Sequence, residues 1–206
     1  MTHTIAVVNM AWQRGRDSEL LKAVLSDPRW LPDTAVLVEA RDRRNRALNI
    51  RAMAPAEWDV YQSLRTSAHA GTVILDRRDR LPITLRGRLI KASRRARNVQ
   101  PRFIREVAFG RFHVLGGHTP LRTTGQQSVF LRRLARRFQV LRRRKRAWAY
   151  FGDFNRSPKR MASATGARNF VGVEVMGCLY EGVEVAEWGF KHYPSSDHPV
   201  LFVRFF

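Results

Sequence analysis

The sequence has one cysteine, Cys178, so no intrachain disulfide framework holds it together and nothing in its fold demands an oxidising compartment. Lysine is scarce: Lys22, Lys91, Lys145, Lys159 and Lys191 are the only ones. Long apolar runs are missing too. The first, Ile5 to Val8, stops at Asn9, far short of a signal peptide or a membrane span. No Cys/His cluster has zinc-ligand spacing, which argues against a structural zinc. No repeat, Ser/Gly linker or Pro-rich tract divides the 206 residues, and 44% of them are hydrophobic. One globular domain over residues 1–206 is expected, monomeric and cytoplasmic, with no membrane span.

Acidic residues are also few. Seventeen Asp and Glu face 38 Lys and Arg, for a net charge of +21, nearly all of the excess being arginine. Such a charge repels itself and favours contact with nucleic acid or an anionic membrane. An arginine-favouring codon bias would give the same composition without function. Phosphate contact is the commoner reason for so large an excess.

Residues 4–9 form a β-branched run, read as a buried strand. Asp17 suits the N-cap of a helix reaching Ser26, with Leu20, Leu21, Val24 and Leu25 on one face, and Pro28 and Pro32 beyond it. Further strands are expected from Thr34 to Glu39 and from Gly71 to Asp76, the latter followed by a basic turn, Arg77 to Arg80. Residues 91–102 read as an arginine-rich loop or edge segment, and strands follow at about 103–109 and 111–116. Gln126 to Arg146 is the clearest helix, with Leu131, Leu134, Phe138 and Leu141 on one face. Arg132, Arg136 and Arg143, with Arg133, Arg137 and Arg144, lie on the other side, where a phosphate backbone would relieve their mutual repulsion. A strand from Ala147 to Gly152 ends at Asp153, and two or three more fill 170–206, the last being Val200 to Phe206. Strands in runs with few helices predict an α/β fold of two packed, mostly antiparallel sheets flanked by helices.

Several strands end in a residue suited to metal or phosphate: Asn9, Glu39, His118, Asp153 with Asn155, and Asp197-His198. Strand ends supply the rigidity that converging ligands need, and carboxylate oxygens such as those of Glu39, Asp153 and Asp197 suit Mg²⁺ or Mn²⁺. His113 reads as a core histidine, His3, His69 and His192 as surface or loop residues, and Cys178 as a small core residue. Trp12 is expected in the core, with a stacking surface beside the cleft as the alternative.

Taken in order, Val8-Asn9, Leu37-Val38-Glu39, Gly117-His118-Thr119-Pro120-Leu121, Gly152-Asp153-Phe154-Asn155 and Ser196-Asp197-His198-Pro199-Val200 resemble the endonuclease/exonuclease/phosphatase (deoxyribonuclease I-like) superfamily. The resemblance spans residues 4–206 and implies a role for each residue. Glu39 would be the principal ligand of Mg²⁺ or Mn²⁺, supported by Asn9, with Asp197 beside the metal. Asp153 would orient the attacking water, and Asn155 would position it and the phosphate. His118 would hydrogen-bond a phosphoryl oxygen and could protonate the leaving group. His198 would serve as general base or stabilise the transition state, the base role being divided between Asp153 and His198. One departure stands out: the family places an Asp on a strand before Ser-Asp-His to orient the final histidine. Here Asn169 to Glu174 contains none, with Glu174 the only substitute. The segment after Glu39, Ala40 to Arg44, is also unusual. The expected function is a divalent-metal-dependent phosphodiesterase acting on nucleic acid, DNA before RNA, as an endonuclease or exonuclease. The alternatives are a phosphatase or phosphodiesterase for a small phosphate ester, inositol phosphate or lipid headgroup, and a catalytically weak nucleic-acid-binding relative.

Overall fold

The computed structural model describes residues 2–10, 16–40, 48–62, 71–78, 83–91, 102–121 and 126–206, the side chains of 83–89 and 91 excepted. Trp12, the Arg41–Arg44 segment, His69, the far end of the basic turn and most of 91–102 lie outside the described residues. Two six-stranded sheets pack face to face. The first orders its strands β11-β12-β1-β2-β4-β3, with β1 His3–Asn9, β2 Thr34–Val38, β3 Trp58–Tyr61, β4 Thr72–Arg77, β11 Val185–Lys191 and β12 Val200–Phe205. The second runs β5-β6-β7-β8-β10-β9, with β5 Ile83–Lys91, β6 Phe103–Phe109, β7 Phe112–Gly116, β8 Ala147–Asp153, β9 Asn169–Val173 and β10 Met176–Glu181. Among the described residues only β1–β2 and β7–β8 pair in parallel; the expected sandwich is the fold that forms.

The apolar runs follow from burial on both faces. On β1, Ile5 and Val7 point between the sheets toward Val114, Ala149 and Phe151, while Ala6 and Val8 pack outward. The helix α1, Asp17–Leu25, covers that outer face with Leu20, Leu21, Val24 and Leu25. Across the sandwich, α3 (Gln127–Arg143) lays Phe130, Leu134, Phe138 and Leu141 on Trp148 and Tyr150, with the Phe138 ring stacked on Trp148 at 3.8 Å. Among the described residues, no helix is long and apolar enough to cross a membrane.

The sequence reading missed four elements outright, counted one strand too few in residues 170–206 and moved other boundaries by one to three residues. Asp17 begins α1 and does not cap it. Strand β5 interleaves arginines with glycine and meets β6 through two register shifts, so its alternation is broken. Strand β3 and the one-turn helix α2, Ile50–Met53, are too short to register as periodic. The helix α4, Pro158–Thr165, had readable signals: Ser157 as N-cap, Pro158 in its first turn and Gly166 in the left-handed conformation at its end. Residues 169–205 hold four strands.

His3 is buried, not a surface residue. Its Nε2 lies 2.9 Å from Thr34 Oγ1, which donates to Asp76 Oδ1 at 2.9 Å. Burial pushes the Asp76 carboxyl up to about 7, opposed by the Thr34 hydrogen bond and reinforced by the charges of Asp33 and Asp59. A carboxyl raised in the fold contributes stability that is complete below its unfolded value and is lost as pH rises toward 7. The slope reaches up to about 1.4 kcal/mol per pH unit in that window. Asp76→Asn is therefore expected to melt above wild type at pH 8 and with it at pH 4; an equal difference at both would refute the titration.

Candidate active site

Five strand ends meet at one edge of the sandwich. Parallel pairing sets Asn9, the last residue of β1, opposite Val38, so Asn9 and Glu39 leave the first sheet together. Strand β12 enters antiparallel with Leu201 opposite Val7, which brings His198 and Pro199 to the same edge. In the second sheet, Gly116 of β7 pairs with Phe151 of β8, and both strands run out toward this edge at His118 and Asp153. Glycines allow the close approach. A Cβ on Gly116 would overlap Val36, and one on Gly152 would overlap the Gly117 carbonyl oxygen.

Glu39 leaves its strand at φ 54°, a left-handed backbone that turns its carboxylate toward the second sheet. The Asn9 amide then serves two acids at once, donating from Nδ2 to Asp153 Oδ2 at 3.1 Å and to Glu39 Oε2 at 3.5 Å. The other Asp153 oxygen accepts the Asn155 backbone N–H at 2.8 Å, so the carboxylate is held from both sides. Asn155, itself at φ 49°, donates from Nδ2 to the Thr119 carbonyl at 2.6 Å and lies 2.8 Å from His118 Nε2. With the amide so oriented, Nε2 accepts and Nδ1 carries the proton, 2.8 Å from Glu39 Oε1.

Burial alone would raise the Glu39 carboxyl. His118, the Arg102 guanidinium 3.9 Å away and the Asn9 amide outweigh it and bring the group to about 2. Burial in turn lowers the Arg102 guanidinium, against the pull of Glu39 and Asp153. Arg102 is the site residue that sequence reasoning missed, since nothing in its neighbours separates it from the other cations of the chain.

Thus Asn9, Glu39, His118, Asp153 and Asn155 form one bonded cluster. Asp197 and His198 reach the same edge but stand apart. Asp197 is largely exposed, its carboxylate 4.0 Å from His198 Nε2, and among the described residues neither bonds to the cluster. Glu174 sits exposed in the β9–β10 turn at φ 53°, with no side-chain hydrogen bond or ion pair among the described residues. The β10 residue opposite Asp153 is Met176, fully buried, whose thioether cannot orient an imidazole as a carboxylate would.

Among the described residues, no three His, Cys, Asp or Glu side chains converge closely enough to chelate an ion unaided. Glu39 and Asp153 nevertheless offer hard oxygens, joined by one neutral amide. Two carboxylates completed by water and substrate oxygens are the usual set for Mg²⁺.

On the outer face of α3, Arg132, Arg136 and Arg143 are exposed and form no ion pair among the described residues. Arg137 does not belong with them. It turns inward to a bidentate pair with the buried Glu106, which also meets His113 Nδ1 at 2.6 Å. His113 is thus a satisfied, half-buried histidine, as its alternation predicted, and His192 is exposed. Cys178 is buried, its thiol pushed up by desolvation.

No protein-family model matches the sequence, and no curated protein matches it either. Solved structures do resemble the fold. Over its whole length the chain superposes on an endonuclease/exonuclease/phosphatase from Bacteroides vulgatus at TM-score 0.74 and 13% identity, spanning 98% of that chain. TDP2 from C. elegans gives TM-score 0.70 and 15% identity over 100% of this chain and 75% of that one. D. rerio TDP2 complexed with single strand DNA product gives 0.65 and 14%, over 99% and 98%.

Proposed function

We propose that this chain, which has the deoxyribonuclease I-like fold of the endonuclease/exonuclease/phosphatase superfamily, is a divalent-metal-dependent phosphodiesterase for nucleic acid, DNA before RNA. One observation carries the reading: two carboxylates from opposite sheets, Asp153 buried and Glu39 half-buried, share a single neutral amide. Like charges held this closely are costly, and a divalent cation relieves them. Glu39 would be the principal ligand, with Asp153 and Asn9 completing the protein's share and Asp197 at the rim. The ion, Mg²⁺ or Mn²⁺, would supply charge neutralisation on a phosphoryl oxygen.

The chain's own groups do the rest. Asp153, fixed by Asn9 and the Asn155 backbone, holds the attacking water in line. His118 is pinned at Nε2 by the Asn155 amide, so the proton it would present to a phosphoryl or leaving oxygen is the one on Nδ1. Arg102 is a cation beside Glu39, ready to pair with the phosphate. His198 takes the water's proton or faces the charge that develops, and Asp153 is the competing base. Among the described residues no carboxylate hydrogen-bonds His198, which favours slow turnover and so lends some weight to a catalytically weak binding relative.

Charge favours nucleic acid over a small phosphate ester or lipid headgroup: a small ester needs a basic pocket, whereas exposed arginines here extend along α3. Arg132 to Arg143 spans about 16 Å of helix. Affinity for DNA should fall with salt at a log–log slope of roughly −0.9 per phosphate neutralised, and Arg132, Arg136 and Arg143 changed together to Ala should flatten it by up to roughly 2.7. An unchanged slope would make that face merely solvated.

A further inference from the structure

Strand β11 is the free edge of the first sheet, and two of its side chains, Trp188 and Phe190, are 44% and 49% exposed. A bulge between Val185 and Glu187 sets their direction. Val185 lies opposite Phe205 and Glu187 opposite Arg204, so one extra residue inverts the alternation. Trp188 then pairs with Val203 and Phe190 with Leu201, both of which belong to the core between the sheets. Without the bulge, Glu187 would face that interior and the rings would turn outward. Instead Glu187 meets Arg204 at 2.9 Å on the outer face, and Gly189 lies against Trp30. Both rings thus look into the gap between the sheets at its open side, where β9 is the edge of the second sheet and leaves them uncovered.

This row leads to the active-site edge. His192 continues it, its ring edge-on to Phe190 at 5.8 Å, and Lys191 pairs with Val200, two residues after His198. Alternate residues of a strand stand about 6.6 Å apart. Two exposed aromatic faces at that spacing, in a chain of net charge +21, match a polyanion that also carries unpaired aromatic bases. Duplex bases keep their faces within the stack, so only an unpaired strand can use such rings. A second copy of this chain is a poorer occupant, because two bodies of the same high charge repel.

We propose that Trp188 and Phe190 form a stacking platform for unpaired bases of a single-stranded segment whose phosphate enters the Glu39–Asp153 cluster. This rests on the phosphodiesterase reading of that cluster. The test is fluorescence anisotropy of labelled oligo(dT), of an abasic strand of equal length and of a duplex, with chelator present so that nothing is cleaved. Trp188→Ala and Phe190→Ala should each weaken oligo(dT) binding about tenfold and leave the abasic strand within twofold. Trp188→Phe, which keeps a ring, should recover most of the loss. Equal losses on both strands, or none on oligo(dT), overturn the platform. So does a sedimentation shift from dimer to monomer in Trp188→Ala with DNA affinity unchanged, which assigns the row to a second copy. Hydrolysis of bis(p-nitrophenyl) phosphate in Mg²⁺ is read separately. Its absence with base-dependent binding intact condemns the phosphodiesterase reading alone, and its presence without base dependence condemns the platform alone.

Discussion

Glu39→Gln is expected to reduce turnover on the order of a thousandfold and to remove the rise in melting temperature that Mg²⁺ should give the wild type. The amide keeps the shape of the side chain but offers a divalent ion no charge, and the neutralisation that a metal brings to phosphoryl transfer goes with it. Binding to the native state alone is what raises a melting temperature, so the lost shift reports the ion rather than the chemistry. The metal-free melt should also fall modestly at pH 7. Glu39 sits at about 2, well below its free value, because His118, Arg102 and Asn9 favour its ionised form over the opposing cost of burial. A carboxyl depressed in this way contributes stability above its unfolded value, and that contribution disappears as pH falls from about 4.5 to about 2. The gap between variant and wild type should close over the same range. A variant that keeps its Mg²⁺ shift would place the ion elsewhere.

Gly152→Ala should cost about 3 kcal/mol or more in a urea melt and at least a hundredfold in activity at a temperature where the variant stays folded. The new methyl group overlaps the Gly117 carbonyl oxygen, which also accepts the Tyr150 hydroxyl at 3.2 Å. A flexible side chain could yield, but here backbone must move, and the strand that moves carries Asp153. Its displacement separates Asp153 from Asn9 and the His118 loop from Asn155. Gly110→Ala provides the control. It lies at φ 58° with nothing near its added carbon, so it suffers only the left-handed backbone penalty of about 1 kcal/mol and should leave activity intact. Wild-type activity in Gly152→Ala would mean that β8 and the His118 loop do not approach as described.

The site was legible where a strand buried on both faces ends in a single polar residue. Asn9, Glu39 and Asp153 each follow an apolar run, and that boundary marks both the end of the strand and the edge of the sandwich. His118 and Asn155 could be read from their glycine-flanked motifs, because Gly117 and Gly152 permit the contact that joins them. Arg102 could not be read, since its partner Glu39 is 63 positions away and only the pairing of sheets unites them. For the same reason Arg137 looked like a solvated arginine on a basic helix face, whereas its place is against Glu106. His3 had no partner by spacing, and its contact with Thr34 depends on the parallel β1–β2 pairing. Aromatic exposure on β11 depends on a bulge that the alternating pattern conceals.

Cleavage of supercoiled plasmid, linear DNA, single-stranded DNA and RNA by the wild-type protein, with Mg²⁺ or Mn²⁺ and then with chelator, bears most directly on the proposal that the chain is a metal-dependent nuclease. Products should form with either ion, cease on chelation and return when the ion is restored. A protein that binds DNA yet leaves DNA, RNA and a simple phosphodiester intact in both ions would contradict it.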